Sequence, residues 1–197
     1  MCIRDSFLTS GKQFGSASTL LDIGTCTARY PRRLLKYLSN DGKIFGVDID
    51  EDCVDLAKLY VKRDTGGDSR ITIVHGDFTD QNLILPEQID LITCMLGTIS
   101  HFCWTYEKER NYSVLLETLR RIRKIIADDG AFIVSSWSEE AKRKKKFLSI
   151  YNPKDSTKLS NWSPSIQELS NLLEQAKFDF KYHPVHDRLV IWTCTPC

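Results

Sequence analysis

The fold of this chain is constrained most strongly by an apolar run near its N-terminus that ends at a glycine. The mostly apolar run Leu20–Ile23 ends at Gly24, and a helical apolar pattern begins near Tyr30. A second apolar run, Lys43–Ile49, follows after a polar turn. The pattern predicts a right-handed strand–helix–strand unit, with a ligand crevice at the carboxyl ends of its strands.

The alternation of strands and helices continues along the next part of the chain. The pattern predicts strands over 71–74, 89–95 and 131–136, and helices over 51–61 and 108–127. Asp50 has the position and the side chain of a helix cap, and Asp128-Asp129-Gly130 is expected to end the long helix. Such alternation predicts a parallel sheet that is covered on both faces.

The last part of the chain has a different pattern. Ser165 and Glu168 have the spacing of a capping box, which predicts the start of a helix that continues through Ala176. Two apolar runs, 178–183 and 188–195, follow with a short connection between them. They predict an antiparallel hairpin at the carboxyl end.

The length of the chain, 197 residues, favours one domain with a substantial core. We expect this domain over 18–197, after an N-terminal segment of residues 1–17. Met1–Ser6 resemble a translated adapter rather than native sequence, in which case a native N-terminal segment is missing. No internal repeat or long linker divides the remainder.

Charge and cysteine content narrow the class of protein. The chain has 27 basic and 26 acidic residues, so nothing in its net charge draws it to nucleic acid or to an anionic membrane. No apolar run has the roughly 20 residues of a membrane-spanning helix. The seven cysteines have neither disulfide-like nor zinc-like spacing. These features predict a cytoplasmic protein without a metal site or a membrane partner.

Five short motifs follow one another in an informative order. They are Leu-Asp-Ile-Gly at 21–24, Gly-Val-Asp at 46–48, Gly-Asp-Phe at 76–78, Ile-Asp-Leu-Ile at 89–92 and Asp-Asp-Gly at 128–130. Together they resemble those of a class I S-adenosylmethionine-dependent methyltransferase, from about Ser18 to the carboxyl terminus. The resemblance implies a Rossmann-like α/β fold, with a seven-stranded mostly parallel sheet, helices on both faces and a C-terminal antiparallel hairpin. It also implies S-adenosylmethionine as the cofactor.

The first loop departs from the family pattern Asp-x-Gly-x-Gly-x-Gly. Cys26 and Ala28 occupy the second and third glycine positions. A dinucleotide-binding loop needs glycine for close approach to a pyrophosphate, whereas S-adenosylmethionine has no phosphate and tolerates small side chains. A methyltransferase is therefore favoured over a nicotinamide-dependent dehydrogenase.

The resemblance also implies which residues bind the cofactor. The candidates are Asp22, Gly24, Thr25, Cys26, Asp48, Ile49, Asp77, Phe78, Met95 and Leu96. By resemblance, Asp48 accepts hydrogen bonds from the ribose hydroxyls, Asp77 accepts from the adenine amino group, and Asp22 and Gly24 line the methionine end.

Other roles remain open for several of these candidates. Asp48 could cap the next helix, Asp77 could cap a turn, and Gly24 could serve only the turn. Cys26 is either a reactive thiol or a small space-filling residue, and Met95 and Leu96 could equally be core residues.

His101, on the loop after the fourth predicted strand, is the candidate general base for an acceptor that must lose a proton. A histidine that only hydrogen-bonds the loop backbone is the alternative. Nearby aromatic residues could wall a substrate pocket or pack in the core or a lid; they are Phe102, Trp104, Tyr106, Trp137 and Trp162.

The acceptor is the least constrained part of the prediction. The basic run Lys142–Lys146 could contact nucleic-acid phosphates, but it is favoured as the solvated face of a helix. A small-molecule acceptor, methylated on N, O or C, therefore leads. An RNA or protein methyltransferase and a non-catalytic module that binds S-adenosylmethionine remain the alternatives, and the sequence leaves the oligomeric state open.

Overall fold

A computed structural model describes residues 17–103, 112–137, 164–185 and 189–197. Its strands are β1 (Thr19–Ile23), β2 (Lys43–Asp48), β3 (Ile71–His75), β4 (Ile89–Cys94), β5 (Ile126–Trp137), β6 (Phe178–Val185) and β7 (Leu189–Pro196). Its α-helices are α1 (Arg29–Leu34), α2 (Glu51–Thr65), α3 (Tyr112–Ile125) and α4 (Ile166–Gln175), with short 3-10 helices at Leu35–Tyr37 and Thr98–Cys103.

The strands form one seven-stranded sheet in the order β3-β2-β1-β4-β5-β7-β6. Strand β2 pairs in parallel with both β1 and β3, so the carboxyl ends of these three strands lie at the same edge. Strands β6 and β7 pair antiparallel, with Val185 opposite Leu189. The predicted α/β fold and its C-terminal antiparallel hairpin are confirmed.

The chain divides into two compact units. Of the described residues, 17–93 and 125–132 belong to the first unit, and 94–103, 112–124, 133–137, 164–185 and 189–197 belong to the second. Strand β5 therefore contributes to both. The single domain expected over 18–197 stays a prediction.

Strand β1 is deeply buried in the first unit. Its residues Leu20, Leu21 and Ile23 are at most 1% exposed, as expected for a strand with neighbours on both sides. Its start is held by Asp90 of β4, whose Oδ2 accepts from the backbone N–H groups of Ser18 (2.7 Å) and Thr19 (2.8 Å). One carboxylate thus fixes where β1 enters the sheet.

Two helices begin at the predicted caps. The Asp50 side chain accepts from the backbone N–H of Cys53 at the start of α2. At the start of α4, Ser165 and Glu168 form the reciprocal pair of bonds that defines a capping box. Each cap satisfies helical N–H groups that otherwise lack an intrahelical partner.

The predicted end of the long helix is wrong. Helix α3 ends at Ile125, and Asp128 to Gly130 lie inside β5. A Cβ at Gly130 would lie 2.9 Å from the carbonyl oxygen of Ile89 in β4. Gly130 therefore permits close approach of two strands. The local sequence Asp-Asp-Gly is compatible with this role as well as with the end of a helix.

The loop between β1 and α1 has an uncommon backbone. Gly24, Cys26 and Ala28 have positive φ angles of 68°, 46° and 52°. The N–H groups of Gly24 and Thr25 both donate to the carbonyl of Val47 at the end of β2, at 2.8 and 3.0 Å. The loop keeps the left-handed conformations that glycine favours, although two of its three left-handed residues carry side chains.

We expect Cys26→Gly to be more stable than Cys26→Ala by about 1 kcal/mol, because Ala retains the steric cost of a left-handed residue and Gly does not. Urea unfolding of the two variants measures the difference. The control is Cys53, which lies in the right-handed helix α2, where Gly should be less stable than Ala by about 1 kcal/mol. The same sign at both positions would contradict the left-handed loop.

Candidate cofactor site

Asp22 is a buried carboxyl group at the end of β1, with only 2% of its surface exposed. Its Oδ2 accepts from the Thr25 hydroxyl at 2.8 Å, and its Oδ1 accepts from the Thr93 hydroxyl at 2.6 Å. Burial raises the pKa of Asp22 to about 6, the two threonine bonds oppose the shift, and the charge of Asp48 adds to it. Asp22 thus connects the first loop to β4 and titrates close to neutral pH.

Thr25 occupies space that Gly46 leaves open. A Cβ at Gly46 would lie 2.8 Å from Thr25 Oγ1 and 2.9 Å from Ile73 Cδ1. A side chain at position 46 would therefore displace the hydroxyl that bonds Asp22. A positive φ angle, the other common reason for a glycine, does not apply to Gly46. The close packing against Thr25 and Ile73 therefore explains why the Gly-Val-Asp motif has glycine at this position.

Asp48 lies at the carboxyl end of β2 and is partly exposed. Its Oδ2 accepts from the backbone N–H of Cys26 at 2.7 Å, and its Oδ1 accepts from the backbone N–H of Asp50 at 3.1 Å. A carboxylate offers about four lone-pair positions, so each oxygen retains capacity for one more donor. The side chain is held in place and can still bind a ligand.

Ile49 follows Asp48 and is 64% exposed. Its carbonyl oxygen lies 3.0 Å from Nε2 of His75 at the end of β3. An aliphatic side chain at the carboxyl edge of a parallel sheet gives an apolar ligand group a surface to pack on.

The two candidates after β3 differ in exposure. Asp77 is exposed, and its Oδ1 accepts from both the backbone N–H and the hydroxyl of Thr79, each at 2.8 Å. Phe78 is buried, with 3% of its surface exposed. One oxygen of Asp77 thus caps a turn, as its alternative interpretation expects, and Phe78 packs within the protein.

The thiol groups of Cys26 and Cys53 lie together, with the two Sγ atoms 3.5 Å apart. Burial raises the pKa of Cys53 to about 12, helped by the hydrogen bond and charge of Cys26 and by the charges of Asp48 and Asp50. Cys26 is exposed. Solvent therefore reaches the Cys26 thiol, and its role as a reactive thiol or as a small space-filling residue stays a prediction.

The remaining candidates, Met95, Leu96 and His101, belong to the second unit. Met95 is buried, whereas Leu96 is 37% exposed, has a positive φ angle of 57° and donates its N–H to Ser135 Oγ at 2.7 Å. His101 is exposed on the Thr98–Cys103 3-10 helix. Their roles at the cofactor and in proton removal stay predictions.

The aromatic and basic candidates are only partly described. Phe102 is 8% exposed, and the indole of Trp137 lies so near Gly97 that a Cβ there would clash with its Nε1. Trp104, Tyr106, Trp162 and Lys142–Lys146 lie outside the described residues. Within the described ranges, no cluster of three or more potential metal ligands occurs, and no helix has the length and apolarity to cross a membrane.

Hydrogen bonds therefore join four of the predicted site residues in the first unit as two pairs, Asp22 with Thr25 and Asp48 with Cys26. Other bonds involve residues that the sequence did not indicate. Thr93 bonds Asp22 across 71 positions, and His75 holds the Ile49 carbonyl. Cys53 meets Cys26 across 27 positions. Only the positions of Thr93 and His75 in the sequence could have indicated their contacts. Both lie near the carboxyl ends of predicted strands, and these ends were expected to meet.

Comparison with known proteins gives the same fold. Residues 20–125 match the family model described as "Methyltransferase domain". A search of curated proteins found no match. A SAM-dependent methyltransferase from Aquifex aeolicus is 17% identical with a TM-score of 0.71, and the match covers 96% of this chain and 87% of that one.

Two further solved structures are similar. The YcgJ protein of Bacillus subtilis is 13% identical with a TM-score of 0.70, with 98% of this chain and 97% of that one covered. The N,N-8-amino-8-demethyl-D-riboflavin dimethyltransferase RosA of Streptomyces davawensis is 20% identical with a TM-score of 0.68, with 98% and 53% covered. The family match spans more than half of the chain, so the chain belongs to the methyltransferase domain family, as its resemblance to class I S-adenosylmethionine-dependent methyltransferases predicted.

Proposed function

We propose that this enzyme transfers a methyl group from S-adenosylmethionine to N, O or C of a small molecule, and that the cofactor's adenosine lies over Asp48 and Ile49. The observation that carries the cofactor position is the carboxylate of Asp48. Two backbone N–H groups orient it, and its remaining lone pairs suit the two hydroxyls of a ribose.

Ile49 supports the same position for the adenine ring. An aliphatic side chain that is 64% exposed, directly after the ribose-binding candidate, gains from burial under an apolar ring face. The left-handed residues of the loop after β1 are Gly24, Cys26 and Ala28, none of which has a large side chain that would obstruct a ligand. Apolar and polar parts of the adenosine thus each meet a complementary group.

Methyl transfer requires alignment more than acid–base assistance. When bound, S-adenosylmethionine supplies a methyl group on a positively charged sulfur, and the leaving thioether needs no proton. The chain's part is to hold the cofactor through Asp48 and the loop, and to exclude water. For an acceptor that must lose a proton, we propose His101 as the base, since its imidazole is exposed on the loop after β4.

Two observations favour a small-molecule acceptor. The net charge of the whole chain is only +1, which gives no general attraction to nucleic acid. One structural neighbour, RosA, is by its printed name a dimethyltransferase of an amino-riboflavin, a small molecule. A cytoplasmic location is part of the same proposal, supported by six cysteines among the described residues that form no disulfide.

Replacing Asp48 by Ala should weaken binding of S-adenosylhomocysteine by at least about tenfold, because two hydrogen bonds to a charged group are lost. Isothermal titration calorimetry measures the affinity, and a thermal unfolding scan checks that the variant is folded. Asp55→Ala, an exposed acid on α2, is the matched control and should change the affinity by less than about twofold. Equal affinities for all three proteins would refute the ribose role.

Cofactor affinity should rise with pH around the pKa of Asp22. This pKa is about 6 in the free protein, and a cofactor with a positively charged ammonium and sulfonium favours the ionised carboxylate. Binding then lowers the pKa, so we expect affinity to increase severalfold between about pH 5 and about pH 7.5 and to level off above. In Asp22→Asn the rise should disappear; a rise of the same size in this variant would assign the titration to another group.

The acceptor class is tested by label transfer. The enzyme is incubated with methyl-labelled S-adenosylmethionine and, separately, with a small-metabolite extract, total RNA or total protein. We expect label in the small-metabolite fraction only, at a rate that falls with Asp48→Ala. Label in RNA or protein would replace the small-molecule proposal, and cofactor binding without transfer to any fraction would indicate a binding module.

A further inference from the structure

Two cysteines that are distant in sequence meet beside the proposed ribose site. Cys26 lies in the left-handed loop after β1, and Cys53 lies in the first turn of α2. Their Sγ atoms are 3.5 Å apart, which is van der Waals contact for two thiols. The contact depends on the fold, because 27 positions separate the two residues.

The two thiols differ in accessibility. Cys26 is exposed, whereas Cys53 is only partly exposed. Cys94, Cys103 and Cys194 are buried. Of this pair, a small oxidant in solution therefore reaches Cys26 more readily, and the second sulfur is already in contact with it. Cys197, another exposed cysteine, is not part of the pair.

Backbone hydrogen bonds connect this pair to Asp48. The N–H of Cys26 donates to Asp48 Oδ2, and the N–H of Asp50 donates to Asp48 Oδ1. Asp50 in turn accepts from the N–H of Cys53. A change in the distance between the two cysteines consequently acts on the carboxylate that is proposed to hold the ribose.

We propose that Cys26 and Cys53 are a peroxide-oxidisable dithiol, and that closing it to a disulfide weakens cofactor binding. The effect on affinity rests on the proposed function of Asp48. Formation of the disulfide does not, since it depends only on the two sulfur atoms and the oxidant.

The chemistry is a two-electron oxidation by hydrogen peroxide. The thiolate of Cys26 attacks one peroxide oxygen, the O–O bond breaks, and the released hydroxide takes a proton to form water. The sulfur of Cys53 then attacks the sulfenic sulfur of Cys26, the S–O bond breaks, and the hydroxide leaves as a second water with the Cys53 proton. Two thiols are oxidised to one disulfide, and peroxide is reduced to two waters.

Cys53 suits the second step rather than the first. Burial, Cys26 and the charges of Asp48 and Asp50 raise its pKa to about 12, so it stays protonated near neutral pH. A protonated thiol is a slow nucleophile in bulk solution, so the second step depends on the 3.5 Å contact, which makes the attack of Cys53 on Cys26 intramolecular. Cys26 meets the oxidant because it is exposed, and Cys53 is the resolving thiol because its sulfur already contacts that of Cys26.

The disulfide should disturb the loop. Its sulfur atoms are bonded at about 2.05 Å, so the thiols must approach by about 1.5 Å from their contact of 3.5 Å. Cys26 has a left-handed backbone whose N–H is bonded to Asp48, so a movement of its sulfur by this amount acts on that bond. A shift of Cys26 moves its N–H away from Asp48 and the loop backbone away from the ligand.

The test treats the full chain with excess hydrogen peroxide and examines disulfide formation and affinity separately. Trypsin should yield peptides 13–29 and 44–58, each with one cysteine, and mass spectrometry of the unreduced digest detects their bridged form. Calorimetry with S-adenosylhomocysteine should give at least about tenfold weaker binding after oxidation, with full recovery in dithiothreitol.

Two variants separate this pair from the other cysteines. Cys53→Ser removes the resolving thiol, and brief peroxide treatment should leave its affinity unchanged. Cys197→Ser removes another exposed cysteine and should respond like the original chain. An absent bridge, a bridge without loss of affinity, or an equal loss in Cys53→Ser would each overturn the proposal.

The experiment also distinguishes this inference from the proposed function. If the reduced protein fails to bind S-adenosylhomocysteine, the proposed cofactor position and the effect on affinity both fail. A bridged peptide in the same sample would still establish the dithiol, since its detection requires no ligand.

Discussion

The site depends on one carboxylate, that of Asp48, which receives backbone N–H groups from two separate segments. Cys26 comes from the loop after β1, and Asp50 comes from the start of α2. Because backbone donors have little freedom once the strands are paired, the carboxylate is oriented before any ligand arrives. Preorganisation of this kind reduces the entropy lost on binding, and it makes the loop conformation part of the affinity.

The loop conformation itself has a steric cost. Cys26 and Ala28 stand in left-handed conformations that cost a side-chain-bearing residue about 1 to 2 kcal/mol each. Paired backbone groups offset this cost, since the N–H groups of Gly24 and Thr25 both bond Val47 and the Thr25 hydroxyl bonds the buried Asp22. The loop thus keeps a left-handed backbone at Cys26 and Ala28, the two positions where the family pattern has glycine. The small side chains of Cys and Ala allow this.

Local signals in the sequence predicted most of the fold, whereas contacts between distant positions were not predictable. Asp50 and the Ser165–Glu168 pair were identifiable as caps because capping acts over three residues. Gly130 was misinterpreted as a helix stop, because its actual neighbour is the carbonyl of Ile89 on another strand. The bond from Thr93 to Asp22 had no local signature for the same reason.

The cofactor half of such an enzyme can be recognised from few side chains, because much of the proposed binding is done by the backbone. The orienting contacts at Asp48 and at the first loop come from N–H and carbonyl groups, which many different residues can supply. This accounts for a common fold at 13 to 20% identity. An acceptor, in contrast, is distinguished by the shape and polarity of side chains. The family match ends at residue 125, so much of the chain that could form an acceptor pocket lies outside the region where the family pattern constrains the sequence.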